Sequence, residues 1–221
     1  MAHKVFIPIK EESQRVPKKN FRAFGGKPLW KHTLDKLTDY DVYVNTDSES
    51  IIKQIKETYT NVTPIKRMQC HIGNEVPVNW MLGYFANECH EDDIVAQVHV
   101  TSPFLKVETL DKIFNMFKGG GVDSVATVDV IQARCWRTEA PKRFIPINHD
   151  PEILEQTQDI NPIYVENSLI YAFEVGHFLN TRNRFSGAHK LFYETSFPEN
   201  LDIDTEADWD ICKKLARLNH E

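Results

Sequence analysis

Apolar positions along the chain recur with two periods, and the alternation between those periods sets the fold class. Short apolar runs predict strands at Val5–Ile9, Asp41–Asn45 (DVYVN), Asp93–Val100 (DIVAQVHV), Ser124–Val130 (SVATVDV) and Asn167–Phe173 (NSLIYAF). Between them, helical spacing predicts helices over Leu29–Leu37, Ser48–Tyr59, Asn79–Cys89 and Thr109–Phe117, the second with Ile51, Ile52 and Ile55 on one face. A last helix is predicted over Thr205–Asn219, with Thr205 as its N-cap and Glu206 and Asp208 in the first turn. Strands that alternate with helices in this way form βαβ units, so the expected fold is α/β with a mostly parallel sheet covered by helices.

The pattern breaks from about Gln132 to Pro162, where Pro141, Pro146, Pro151 and Pro162 interrupt any helical period. Loops longer than about 15 residues are uncommon in a compact domain and are usually functional or interfacial. This stretch is therefore expected to be an arm that packs on a second subunit.

Composition narrows the function. A length of 221 residues suits one domain, or one domain with an appendage. The net charge of -6 argues against a non-specific nucleic-acid binder, which needs an excess of Lys and Arg. That charge is uneven: residues 10–27 hold six basic and two acidic side chains, leaving an acidic remainder. A basic patch on an acidic protein reads as a site for a small anion. Cys70, Cys89, Cys135 and Cys212 lack metal-ligand spacing and read as reduced thiols of a cytosolic protein. No apolar run approaches the roughly 20 residues of a membrane span, and Val5–Ile9 is too short for a signal-peptide core. A cytoplasmic protein is expected.

In an open parallel sheet, ligands sit beyond the carboxyl ends of the strands. The loop 10–20, which follows the first strand, offers Lys10, Arg15 and Lys19 as donors. Ser13 and the backbone amides can form an anion nest there, and Pro17 fixes the turn. Glu11 and Glu12 interrupt this basic loop, and their side chains are expected to point outward. Near the other end, Asp202 and Asp204 flank Ile203, so an extended backbone turns both carboxylates to one side. Paired carboxylates suit Mg²⁺ that is also held by substrate phosphates; an acidic cluster serving a helix dipole is the alternative reading. The basic loop and the acidic pair together suggest a nucleoside triphosphate with Mg²⁺. The absence of GxxxxGK[ST] excludes a P-loop ATPase, and the absence of GxGxxG after the first strand weighs against a dinucleotide enzyme.

The segments IKEESQRVPKKN, GGKPL, NTD (Asn45–Asp47), Arg67, HVTSPFL, NSLIY and DIDT follow one another in this order over nearly the whole chain. In that order they resemble the acylneuraminate cytidylyltransferases and their relatives that activate other ulosonic acids. The resemblance implies a Rossmann-like nucleotidyltransferase fold, with helices on both sheet faces, in one domain over 1–221. It also implies transfer of CMP from CTP to the anomeric hydroxyl of a nonulosonic or related 2-keto sugar acid, with Mg²⁺ as cofactor. The expected assembly is a homodimer, with residues 133–165 as its arm.

Carried over position by position, the resemblance places Lys10, Ser13, Arg15, Lys19 and Asn20 around the nucleotide, with Lys19 on phosphate and Asn20 near ribose or base. Arg67 would help read cytosine. Thr101, Ser102, Asn167 and Tyr171 would contact the acceptor, with His99 where the family has Gln. Asp202 and Asp204 would hold the metal, and Lys19, Arg15 and Asp204 would carry the catalysis. Several positions depart from the family pattern. Lys10 replaces an Arg, Glu12-Ser13-Gln14 replaces Gly-Ser-Lys, and Ser168 replaces a Gly. Arg15 stands where the related KDO cytidylyltransferases keep a basic residue. The altered loop leaves two alternatives open: a nucleotide-binding relative without transferase activity, and a nucleotidyltransferase of the same fold with another base or acceptor.

Overall fold

Alternate side chains of the first strand, β1 (His3–Ile9), point into two different apolar layers. Val5, Ile7 and Ile9 join one core cluster and Phe6 joins another. The computed structural model, which describes residues 2–73 and 75–218, builds outward from this strand. The further strands are β2 (Ala23–Phe24), β3 (Lys27–Pro28), β4 (Asp41–Thr46), β5 (Val62–Lys66), β6 (Ile94–Val98) and β7 (Ser124–Ile131). After them come β8 (Trp136–Ala140), β9 (Arg143–Pro146), β10 (Ile163–Glu174) and β11 (Lys190–Glu194). The helices are α1 (Leu29–Leu34), α2 (Glu49–Thr58), α3 (Val78–Ala86), α4 (Val107–Met116), α5 (Val175–Thr181) and α6 (Glu206–Leu218).

Seven strands form the central sheet in the order β11-β7-β10-β6-β1-β4-β5. β10 alone runs antiparallel to its neighbours; the other pairings are parallel. Helices α1, α2 and α4 cover one face, packing Trp30, Ile55 and Phe114 onto the side shared by Val5 and Ile7. Helices α3 and α5 cover the other face through Leu82, Phe85 and Phe178 against Phe6 and Phe173. A third cluster, with Val16, Phe24, Ile203 and Trp209, seats α6 beside the loop after β1. Full burial of each such side chain contributes roughly 1.5–3 kcal/mol. Thr205 caps α6 as expected: its Oγ1 accepts from the Asp208 amide at 3.3 Å, and the Asp208 carboxylate accepts from the Thr205 amide at 2.7 Å. Asn219, the expected end of that helix, lies outside the described residues.

The expected strands and helices form with boundaries shifted by a few residues, and Ile52 is only partly buried on α2. The strands β5 and β11, the helix α5, the short β2–β3 pair and the β8–β9 hairpin inside the 132–162 stretch were not anticipated. Order returns at Ile163 rather than Asn167, because β10 runs on through the expected loop boundary. Among the described residues no helix is long and apolar enough to cross a membrane.

Candidate active site

The chain passes from β1 to β4 and β5 on one side of the sheet, then crosses back to place β6 on the other side. Loops after β1 and β6 therefore diverge, leaving a crevice at the point where the strand order reverses. Pro8 marks its mouth. The β1–β6 ladder ends at the Phe6–Gln97 pair, so the amide that Pro8 lacks is not needed by β6.

A cavity of about 430 Å³ fills this crevice. Of the residues predicted from sequence, Lys10, Ser13, Arg15, Lys19 and Asn20 line it from the first loop. Arg67, His99 and Thr101 line it from the loops after β5 and β6. Val16, buried in the third core cluster, anchors the middle of the first loop. Asn20 ties the loop's end to its start, donating from Nδ2 to the Lys10 carbonyl at 2.9 Å; its Oδ1 is buried and has no partner among the described residues. Lys18, in the left-handed region at φ 50°, turns the chain between these anchors.

The two glutamates behave differently. Glu11 does not line the cavity, and its amide donates to Asp47 Oδ1 at 2.9 Å, so that amide is not free for phosphate. Glu12 borders the cavity and is exposed. It shares that lining with five basic residues, Lys10, Arg15, Lys19, Arg67 and Arg184.

Arg67 is buried. Its Nε donates to Asn45 Oδ1 at 2.8 Å, and its Nη2 donates to the carbonyls of Asn45 and Ile9 at 2.9 and 3.1 Å. Nη1 has no partner among the described residues, which leaves one edge of the guanidinium for a ligand.

Asp202 and Asp204 sit at the border of the cavity rather than in its lining. Ile203 between them is fully buried, and its amide donates to the Thr101 carbonyl at 2.9 Å, which locks the segment to the loop after β6. Asp204 pairs with Arg15 at 2.8 Å and with Lys19 at 3.5 Å, and the Lys19 ammonium also reaches the Ile203 carbonyl. Asp202 accepts from Ser102 Oγ at 3.4 Å. Burial pushes the Asp202 carboxyl above the usual range, and the charge of Asp204 adds to the push. Among the described residues no group of three or more Asp, Glu, His and Cys gathers into a cage. A site of two carboxylates, completed by water and phosphate oxygens, matches the way Mg²⁺ is normally held, so the donor set fits the metal suggested by the sequence.

The acceptor-side predictions divide. Thr101 and His99 line the cavity, whereas Ser102 is spent on Asp202. Asn167 is spent on the fold: its Nδ2 donates to Asp129 at 2.8 Å and to Thr195 at 2.7 Å. It sits in a bulge where five steps along β10, from Glu166 to Tyr171, match two along β7. Ser168, at φ 61° in this bulge, occupies the left-handed region, which explains why a glycine suits the position in relatives of this pattern. Tyr171 does not line the cavity. Its ring lies 3.7 Å beneath the guanidinium of Arg184, and its hydroxyl donates to Glu166 at 2.6 Å. Arg184, which no motif singles out, lines the cavity and also donates to Gln97, which in turn contacts His99 Nε2. Burial, with the nearby charges of Arg184 and Lys19, pushes the His99 imidazole down to about 4, so it is neutral at pH 7.

A family model described as cytidylyltransferase matches residues 5–220. The chain belongs to the cytidylyltransferase family. Within the family it is similar to the CMP-N,N'-diacetyllegionaminic acid synthase of Legionella pneumophila, 27% identical over 227 residues that cover 97% of this chain and 96% of the relative. It is also similar to the pseudaminic acid cytidylyltransferase of Campylobacter jejuni, 22% identical over 240 residues, 100% of this chain and 99% of the relative. The N-acylneuraminate cytidylyltransferase of Streptococcus agalactiae is 22% identical over 218 residues; these cover 92% of this chain but 50% of the relative, so the chain spans about half its length. Among solved structures, the fold matches a CMP:2-keto-3-deoxy-manno-octonic acid synthetase complexed with CTP, with a TM-score of 0.69 at 13% identity over 99% of this chain and 100% of the other. The 2-C-methyl-D-erythritol 4-phosphate cytidylyltransferase of Francisella tularensis matches at 0.69 and 13% identity, over 97% and 99%. At such identities the structural likeness speaks for the fold, which is the Rossmann-like fold expected.

Proposed function

We propose that this family member transfers CMP from CTP to the anomeric hydroxyl of a nonulosonic sugar acid and releases pyrophosphate. The observation that carries the reading is the cavity at the reversal of strand order, where the cations of the first loop and Arg67 converge beside Asp202 and Asp204. The sequence relatives with matching length are named for CMP transfer to legionaminic and pseudaminic acids, which supports the acceptor class.

The acceptor hydroxyl oxygen attacks the α-phosphorus as its proton passes to solvent water; a new P–O bond forms, and the bond from the α-phosphorus to the bridging oxygen breaks, that oxygen leaving with the pyrophosphate. Charge spreads onto the departing pyrophosphate, so positioned cations supply the main catalytic term. Lys19 and Arg15 would supply this charge, with Lys10 supporting. Arg67 and Asn20 would hold the nucleoside, and Thr101 and His99 would orient the acceptor as neutral hydrogen-bonding groups. Mg²⁺, bound by Asp202 and Asp204, would add neutralising charge at the phosphates. We further propose that residues 133–165, with Phe144 62% and Leu154 93% exposed, join two copies into a dimer.

The test is pyrophosphate release with CTP and Mg²⁺ against a panel of 2-keto sugar acids. Release that depends on one acid is expected, and Asp204→Asn should lower kcat by about 10²-fold or more while the fold is kept. CTP binding without release for any acid would refute the transferase reading.

A further inference from the structure

We propose that a second cleft, on the outer face of α3, binds a sugar acid, a pyranose carrying a carboxylate, and shares a wall with the catalytic cavity. The sequence of α3, VNWMLGYFA, contains no charged residue. Its inner face, with Met81, Leu82 and Phe85, is buried in the core. An outer helix face normally carries charged and polar side chains. Here it presents Trp80, 60% exposed, and Tyr84, 51% exposed, one turn apart. Both line a cleft of about 610 Å³, together with His71, Asn79, Asn87 and Arg182.

Two unfavourable backbone choices shape this cleft. Gly83 stands inside the helix, where glycine is among the poorest formers; the Arg182 guanidinium lies over it, Nη1 being 3.8 Å from where a Cβ would be. Arg182 ends α5 at φ 57°, a left-handed position usually given to glycine. Its guanidinium has no acidic partner among the described residues.

The ligand class follows from this chemistry. Aromatic faces pack against the C–H face of a sugar ring, and side-chain amides both donate to and accept from hydroxyls. One guanidinium matches one carboxylate through its planar fork. A polyphosphate would call for several cations, which this cleft does not offer. The volume lies in the range of small-ligand sites.

The wall between the two sites is formed by the segments Arg67–Gly73 and Glu75–Met81. Arg67, Val76, Val78 and Met81 face the catalytic cavity, whereas Met68, Pro77, Asn79 and Trp80 face the cleft. Lys10 of the nucleotide loop donates to the Gly73 carbonyl of this wall at 3.1 Å. An occupant of the cleft therefore bears on the same backbone that shapes the nucleotide site, and it should change the KM for CTP. That the occupant is the acceptor itself, or its CMP conjugate, rests on the proposed reaction; the cleft's preference for a carboxylated ring does not.

Saturation-transfer NMR on the full chain tests this with N-acetylneuraminate, CMP-N-acetylneuraminate, D-glucuronate and, as the uncharged control, D-glucose. Glucuronate should bind and glucose should not. Trp80→Ala and Arg182→Gly should each weaken the acids about tenfold or more, the loss of a charge-assisted contact in the second case. Arg182→Gly removes the left-handed strain, so its melting temperature should hold or rise and misfolding cannot account for the loss. The tighter of the free acid and its conjugate names the source of the ligand. Acid signals that survive both variants but vanish in Thr101→Val would confine binding to the catalytic cavity and overturn the proposal. Equal binding of glucose and glucuronate would overturn it too, as would a Trp80→Ala protein that loses self-association with acid binding unchanged. If no acid supports pyrophosphate release yet Trp80-dependent binding persists, the reaction fails and the cleft stands.

Discussion

His99 offers a direct test of how burial at the cavity floor couples to stability. Its imidazole, ordinarily near 6.5, is held at about 4 by burial and by the charges of Arg184 and Lys19, with Asp204 opposing. The unfolded chain therefore takes up a proton below about pH 6.5, whereas the folded chain refuses it until about pH 4. The contribution of neutral His99 to stability is complete above 6.5, declines as pH falls, and is gone below about 4. The full span is worth about 3 kcal/mol, and at about pH 5 the loss is about 2 kcal/mol. In His99→Gln the side chain cannot titrate but can still hydrogen-bond beside Gln97. Urea denaturation of both proteins at about pH 7.5 and about pH 5 isolates the contribution, because every other titrating group is common to the two. The wild type should lose about 2 kcal/mol more than the variant on acidification. Parallel losses would show that His99 titrates freely and that the desolvation argument is wrong.

Three further outcomes follow from particular contacts. Ser168→Gly relieves the left-handed strain in the β10 bulge and should stabilise the fold by up to about 1 kcal/mol, read as a raised Tm; a lowered Tm would mean that the hydroxyl matters more than the backbone. Arg67→Lys strips Asn45 Oδ1 and the Ile9 carbonyl of buried donors and should cost about 2 kcal/mol in chemical denaturation, with a larger rise in KM for CTP than for the acceptor. An unchanged KM for CTP would remove Arg67 from the nucleotide site. Phe144→Asp combined with Leu154→Asp should convert a dimer to a monomer in sedimentation without a loss of fold, whereas an unaltered mass would place the interface elsewhere.

The central strands were legible because burial on both faces makes them almost continuously apolar, as in IVAQV of β6, where Gln97 is the one polar residue. The two missed strands of the sheet, β5 and β11, are its edges. β5 carries Pro64, which an edge strand tolerates, and β11 leaves Leu191 and Phe192 exposed, so neither shows a clean buried period. The β8–β9 hairpin has few buried positions and gives no alternation to read. At the site, Lys10, Arg15 and Lys19 were legible as a motif in a strand-following loop, and Arg67 through the family resemblance. Arg184 was not, because what selects it is a ring from β10 and an amide from β6, brought beside it only by the antiparallel insertion of β10. Ser102 and Asn167 show the opposite limit. Both lie in the expected motifs, yet their hydrogen-bonding capacity is taken up within the protein.

β10 has a mechanical consequence. Its Ile163–Glu166 half pairs with the outer end of β7 next to the arm, and its Tyr171–Phe173 half is wedged between β6 and β7 in the core. A single covalent strand thus acts as a lever, with the bulge at Asn167 and Ser168 as its fulcrum. The arm side of the strand and Tyr171, whose ring lies against Arg184 at the cavity, therefore belong to one continuous strand with no linker between them.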